Sequence, residues 1–302
     1  MTKATLGDAA EYFGAIVFLR SARLLPAALL PNLSRLLGTL AFDVLGYRRG
    51  VALSNLMRHL PRDGLSRSAG PGGCTYKRIG REAMQSFVMG LAEFARLPLV
   101  DAAYIEKHIA IAGLANLDEA LRRGRGAVLI TGHFGSWEIP GCALARLGYP
   151  VDLVVGVQRN RLVQNLMNDL RRSCGIGIIE PGNLLRAVRS LEANRFVAML
   201  SDQDAGRNGV FVDFLGERAS TPRGAAHLSI LAGSPIIPGF IVRTAGCRHR
   251  MVIEDPISPP EIISKEGVAE LTQVYTRLIE LYVRRYPSQW LWSHRRWKTR
   301  PA

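Results

Sequence analysis

At 302 residues the chain is long enough to bury a full core as one large α/β domain or to divide in two. Its 48% hydrophobic and 21% charged content excludes an intrinsically disordered protein. With 39 Lys+Arg against 25 Asp+Glu, the net charge of +14 favours an anionic partner (nucleic acid, an anionic membrane or a phosphorylated substrate), although a soluble basic enzyme has the same balance.

The chain opens with a helical arm. No run of about 18 apolar residues occurs, so a standard membrane span is not expected. The start also lacks a basic segment followed by an unbroken apolar one, so neither is a cleaved signal peptide. Tyr12 to Leu19 is apolar but is soon interrupted by Arg20, Arg23 and Pro26. Leu33, Leu36, Leu37, Leu40 and Val44 then recur at i, i+3, i+4, i+7 and i+11, which predicts a helix opening just after Pro31 with Arg35 opposite. Between Phe13 and Leu30 the pattern is less regular, since Arg20 falls on the face of Phe13 and Val17, where a long side chain can snorkel to lipid headgroups. Two outcomes stay open: the arm packs on the body, or its apolar face lies on a membrane.

Residues 62–75 (RDGLSRSAGPGGCT) are rich in Gly, Ser and Pro and read as a linker. The expected division is a helical, membrane-associating region at 1–61, that linker, and an α/β domain at 76–302. Ala83 to Leu97 reads as a buried helix.

From about residue 110 the pattern alternates. β-branched apolar runs at 126–131, 151–156, 176–179, 196–200, 236–242 and 251–253 alternate with helical stretches at 138–147, 161–173, 183–193 and 222–232. The expected fold class is α/β, with a mostly parallel central sheet flanked by helices. Ligands of such sheets sit outside the carboxyl ends of the strands. His133 follows one strand and Asp202-Gln203-Asp204 another, so both lie on one rim if the two strands are parallel. A last helix, about Val268 to Arg285, precedes Trp290-Leu291-Trp292-Ser293-His294-Arg295-Arg296-Trp297-Lys298. Aromatics among cations suit a headgroup interface or single-stranded nucleic acid, but no nucleic-acid recognition motif accompanies them.

Within His133-Phe134-Gly135-Ser136-Trp137-Glu138 an imidazole and a carboxylate stand five residues apart after the run Ala127-Val128-Leu129-Ile130. A histidine takes a proton from a hydroxyl near neutral pH, and a carboxylate can orient it. With no serine or cysteine nucleophile elbow, the pair suits acyl transfer straight onto an acceptor hydroxyl; a purely structural histidine is the alternative. Gly132 and Gly135 give the turn backbone freedom for close approach of a ligand. Asp202-Gln203-Asp204 reads either as a divalent-metal D-x-D or as a turn that orients substrate or bonds local backbone. Gly175-Ile176-Gly177 lacks the third glycine of a dinucleotide fingerprint. Cys74, Cys142, Cys174 and Cys247 have neither metal-ligand nor redox spacing and read as free thiols of a reducing compartment. No metal or cofactor is expected. Among the basic residues after the 151–156 run, Arg159 is set apart from Arg161, Arg171 and Arg172 by its place at the strand end, beside Asn160.

Together these segments resemble the bacterial lipid A biosynthesis lauroyl/myristoyl acyltransferases, within the lysophospholipid acyltransferase superfamily. The resemblance runs from about Arg48 to Lys298. It rests on Gly132 to Glu138, similar to a histidine–four residues–acid motif; on Leu200 to Asp204 with Val210 to Gly216; on Ala219-Ser220-Thr221-Pro222-Arg223-Gly224; on Gly233 to Pro238; and on Pro287 to Trp292 with His294 to Lys298. Glu138 stands where the broader superfamily has aspartate. Val157-Gln158-Arg159-Asn160 stands where many members have an aromatic-Arg-Pro sequence, so only Arg159 and the asparagine neighbourhood carry over.

The resemblance implies an acyl thioester donor, on acyl carrier protein or coenzyme A. It implies an anionic glycolipid acceptor (a lipid A precursor or related glycolipid) at the cytoplasmic face of the inner membrane. It implies His133 as general base, Glu138 bonded to its other ring nitrogen, and substrate contacts from Arg159, Asn160, Asp202, Gln203, Asp204, Thr221, Arg223 and Gly224. Backbone N–H groups at the start of the Glu138 helix, or Arg159, would hold the oxyanion. Arginines would hold acceptor phosphates and an acidic carrier. Two rivals are a metal-dependent glycosyltransferase using Asp202 and Asp204, and a non-catalytic lipid-binding protein of the same fold.

Overall fold

The computed structural model describes residues 5–60 and 72–301. Its strands are β1 (Ile109–Ala112), β2 (Ala127–Thr131), β3 (Val151–Val154), β4 (Gly177–Ile179), β5 (Phe196–Leu200), β6 (Val210–Phe214), β7 (Glu217–Thr221), β8 (Ile236–Ala245) and β9 (Arg248–Ile253). Seven of them form one sheet in the order β1-β9-β8-β2-β5-β3-β4, parallel throughout except where β8 meets β9. The hairpin β6–β7 stands apart.

Helices cover both faces. They are α1 (Leu6–Leu24), α2 (Leu30–Thr39), α3 (Arg49–His59), α4 (Gly72–Ala95), α5 (Ala102–His108), α6 (Leu114–Arg122), α7 (Ile139–Arg146), α8 (Arg161–Ser173), α9 (Leu184–Glu192), α10 (Gly224–Ala232) and α11 (Lys265–Arg285). The alternation of β2 shows why two layers are needed. Val128 and Ile130 enter a core with Phe42, Leu191, Leu228, Tyr275 and Trp290, while Ala127 and Leu129 enter another with Leu117, Cys142 and Leu170. The expected α/β class, with helices on both faces of a mostly parallel sheet, is what forms. Cys142 and Cys174, distant in sequence, meet as thiols on one acceptor, the carbonyl of Leu97, each at 3.6 Å.

Three elements depart from expectation. The helix read from Ala83 opens at Gly72, so 72–75 of the expected linker are helical, while 62–71 lie outside the described residues. Gly80 and Gly90 disguise this helix, and close packing is why they are there. A Cβ on Gly80 would lie 2.7 Å from the ring of Phe42, and one on Gly90 would lie 2.9 Å from the carbonyl of Gly135. Strand β1 is four residues long, too short for a period to show. The β6–β7 hairpin closes on Leu215 and Gly216 at φ +53° and +83°, a tight turn with a leucine in the left-handed region that a pattern reading passes over.

The arm turns its stripe outward. Leu36, Leu37, Leu40 and Val44 are exposed, whereas Leu30, Ser34, Gly38 and Phe42 are buried. Helix α2 leans on α4 through small residues: a Cβ on Gly38 would lie 2.5 Å from the backbone of Gln85. On α1, Leu6, Phe13, Val17, Phe18 and Leu24 are also exposed. Among the described residues no single helix is long and apolar enough to cross a membrane; α1 and the segment Ala27–Val44 reach that length only as a pair bent by 109°.

Candidate active site

Register builds the site. β2 and β5 are parallel neighbours with Thr131 opposite Leu200. His133 and Asp202 each lie two residues beyond that pair, so the two chains leave the sheet side by side. There the Nδ1 of His133 is 2.7 Å from Oδ1 of Asp202, and the backbone N–H of His133 donates to Oδ2, also at 2.7 Å. The indole N–H of Trp290 donates to the same Oδ2 at 2.8 Å.

Asp202 is buried, and burial alone would raise its carboxyl pKa. The facing imidazole and the hydrogen bonds from His133 and Trp290 outweigh that cost and hold it at about 2. An ionised carboxylate only accepts, so the proton between the two residues belongs to Nδ1. In a neutral imidazole the lone pair is then on Nε2, and the side-chain amide of Gln203 stands 3.2 Å from it. The imidazole keeps about a fifth of its surface exposed. The ring is thus oriented through Nδ1, with Nε2 turned toward Gln203.

Glu138 does not complete this pair. Its carboxylate is taken up at both oxygens by Arg171 of α8, at 2.6 and 3.0 Å, with both side chains about nine-tenths buried. The expectation that Glu138 holds the other ring nitrogen is therefore corrected: the acid on His133 is Asp202. Three or four residues of separation, not five, bring side chains together along a helix, and 132–138 is in any case a turn: α7 begins only at Ile139. Gly135, at φ +47°, bends the turn against the strand-end backbone, where a Cβ would lie 3.1 Å from both the Ile241 carbonyl and Gln289. Gly132 packs as closely on Asp202. Both glycines are held by close packing, Gly132 on the Asp202 side chain and Gly135 on the Ile241 carbonyl.

The remaining predicted residues are scattered along the rim. Asp204 is spent on the C-terminal tail: its carboxylate accepts from the N–H and hydroxyl of Thr299, at 3.2 and 2.9 Å. Its own N–H donates to Nε2 of His294 at 3.1 Å; burial lowers the pKa of that histidine and favours the neutral acceptor form. Thr221 is fully buried, and its hydroxyl meets Arg296. Asn160 caps α8 and ties it to the backbone of Asp8. Arg159 is exposed beside Glu11 of α1. Arg223 and Gly224 open α10; Gly224 abuts the Met199 side chain of β5.

The D-x-D reading loses its donors here. Both oxygens of Asp202 and both of Asp204 already accept from protein N–H and O–H groups. Among the described residues no group of three or more His, Cys, Asp or Glu is placed to hold a metal.

Sequence reasoning missed two features. One is the tail: Trp290 bonds Asp202, and the buried Arg296 donates to the carbonyls of Ser220 and Gln203 while stacking on Phe214. Its burial lowers the guanidinium to about 10, so it stays charged at neutral pH. The aromatic-and-cation run is thus largely an internal clamp, with Trp290, Trp292, Arg296 and Trp297 buried. The other is a narrow apolar slot that reaches Trp137, the neighbour of the imidazole. Trp137, whose ring centroid is 5.2 Å from that of His133, lines it with Glu138, Leu144, Leu153, Ile176 and Met251. No run of sequence announces it, because its walls come from both a helix and the sheet beneath.

Comparison with known proteins places the chain. A family model described as bacterial lipid A biosynthesis acyltransferase matches residues 4–299. The lipid A biosynthesis palmitoleoyltransferase of Escherichia coli K12 is 27% identical over 92% of this chain and 88% of its own length. A phosphatidylinositol mannoside acyltransferase of Mycolicibacterium smegmatis is 27% identical over 72% of this chain and 71% of its own. The lipid A biosynthesis lauroyltransferase of E. coli K12 gives the same identity over the same shares.

Proposed function

Because the chain belongs to the bacterial lipid A biosynthesis acyltransferase family and is an O-acyltransferase, we propose that it moves a fatty acyl group from a thioester on acyl carrier protein or coenzyme A to a hydroxyl of a lipid A precursor or related glycolipid. The observation that carries this reading is the imidazole of His133, held at Nδ1 by Asp202 and standing beside Trp137 of an apolar slot.

An acceptor hydroxyl displaces the Gln203 amide from Nε2 and gives up its proton as its oxygen attacks the thioester carbonyl. The imidazolium that forms is stabilised by the Asp202 carboxylate, which stays ionised. Collapse of the tetrahedral intermediate breaks the C–S bond; the thiolate leaves readily because thiols ionise near a pKa of ~8.5, and it takes the proton from Nε2, which returns the imidazole to its neutral form. General-base catalysis contributes typically about 10²–10⁴-fold. The slot accounts for the chain: its apolar walls run from Trp137 toward Met251 and suit an alkyl tail.

The outward stripe of α1 and α2 supports a place at the cytoplasmic face of the inner membrane. Exposed leucines and phenylalanines on two helices at a sharp angle suit a surface that lies in the headgroup boundary rather than one that spans it.

The test is transfer of a labelled acyl group from its thioester to purified glycolipids, with a lipid A precursor and a phosphatidylinositol mannoside as separate acceptors. Transfer to one of them by wild type, lost in His133→Ala, supports the reading. Transfer to neither, or undiminished turnover in the folded variant, defeats it.

A further inference from the structure

The apolar slot owes its room to one strand. On the sheet face beneath α7, the side chains of β3, β5 and β2 stand in rows set by the register. Val151, Phe196 and Ala127 make one row, and each is at most 1% exposed. Two residues nearer the catalytic rim, Leu153, Ala198 and Leu129 make the next row. All three are only half-buried, although they lie on inner strands of the sheet. Protein interiors leave few voids larger than a water molecule, so accessible surface at this place marks a gap between sheet and helix.

Ala198 makes that gap. It stands between two leucines with a side chain of one carbon, and on its own strand the same face carries Leu200 at the rim and Phe196 below. Gly141 of α7 adds no side chain on the opposite wall; a Cβ there would lie 3.3 Å from the Ile176 side chain. Toward the rim where His133 stands, the slot is lined by Thr131, Trp137 and Leu200, which keep accessible surface. Below the alanine it is lined by Leu144, Val151 and Ile176, each at most 3% exposed. A passage open near the base and closed by aliphatic side chains below accepts one unbranched alkyl chain and limits its length.

We propose that Ala198 and Ile176 set the length of the acyl chain this enzyme transfers. Ala198 lets the chain pass between sheet and helix, and Ile176 stops its methyl end. The proposal rests on the acyltransferase reading and adds to it the residues that select among donors. Neither residue meets the reacting atoms, so both act on specificity rather than on the chemical step.

The test is a chain-length profile. kcat/KM is measured for saturated acyl thioesters from octanoyl to stearoyl, and each value is divided by that for octanoyl, so that the fraction of folded enzyme cancels. One methylene in an apolar pocket changes such a ratio by about tenfold or more. For the longest chain that wild type transfers, Ala198→Leu should lower the ratio at least tenfold. Ala198→Val, whose branched side chain suits a strand, should lower it by less. Ile176→Ala should raise the ratio for the next longer chain at least tenfold. Ratios unchanged in Ala198→Leu, because all chains slow alike, overturn the proposal, as does an Ile176→Ala profile that stays in place or moves to shorter chains. Free fatty acids of the same lengths, titrated calorimetrically into the full chain, read the slot without turnover: affinity that rises with length in wild type should stop rising sooner in Ala198→Leu. Absence of acyl transfer by wild type would defeat the acyltransferase reading instead, and the fatty-acid titration would still decide whether Ala198 limits length.

Discussion

Two buried carboxylates stand near His133, and they do different work. Glu138 is five residues along the chain, yet it is locked to Arg171 on α8. Asp202 is on another strand, yet it takes the imidazole N–H, the backbone N–H of His133 and the indole N–H of Trp290. One acid braces the entrance of α7 beside the apolar slot; the other orients the imidazole. Nearness in sequence identified the wrong acid because the turn at Gly135 carries Glu138 toward α8, while the parallel register of β2 and β5 carries Asp202 to His133.

The largest effect expected is at the base itself. His133→Ala should lower kcat by about 10²–10⁴-fold per folded molecule, and should also lower the melting temperature, because it leaves the buried Asp202 carboxylate without its facing imidazole. A second experiment separates the bracing acid from the orienting one. Breaking a buried ion pair leaves an uncompensated charge, so Glu138→Gln alone should lose on the order of 3 kcal/mol of unfolding free energy in a denaturant melt, and Glu138→Gln/Arg171→Met should recover much of it. Equal losses in single and double variants would show that the pair does not act as a unit. Trp290→Phe keeps the bulk of the ring and removes one charge-assisted hydrogen bond to Asp202. It should slow turnover by roughly tenfold, as expected of a bond worth about 1.5–3 kcal/mol that is partly replaced by water.

The smallest effect lies at low pH. Asp202 has its pKa lowered from an ordinary 3.8 to about 2 in the folded state. Glu93, though buried, is brought from 4.5 to about 2 because the charge of Arg243 and the hydrogen bond and charge of His249 outweigh the cost of burial. A depressed folded pKa stabilises above the unfolded value and ceases to do so as pH falls through the folded one. Stability should therefore hold down to about pH 4.5 and be lost between there and pH 2, on the order of 2 kcal/mol per group. Asp202→Asn should make that loss shallower; an unchanged slope would mean that the aspartate is not held as described.

Much of the fold was readable because it is local. The runs at 196–200 and 161–173 coincide with β5 and α8, and the common rim of His133 and Asp202 follows once the strands are parallel. The identity of the acid was not readable, since it depends on which strands are neighbours, and strand order is a property of the whole sheet. The stripe of α2 could be read as a stripe but not as an outward one. Which face of a helix is buried depends on what it meets, and α2 meets α4 through Leu30, Ser34 and Gly38 rather than through Leu36 and Leu37. Likewise Thr221 and Asp204 lie in the right segments, but their polar groups are used by Arg296 and Thr299 of a tail whose path no spacing predicts.

The most direct test compares the two acids in one assay. Single-turnover acyl transfer is measured for Asp202→Asn and for Glu138→Gln, each normalised to folded protein. If Asp202 orients the base, Asp202→Asn transfers at least about a hundredfold more slowly than wild type, because the imidazole loses both its tautomer and its counter-charge, while Glu138→Gln is slowed far less. A Glu138→Gln variant as inactive as His133→Ala, beside an Asp202→Asn variant near wild type, would contradict the account.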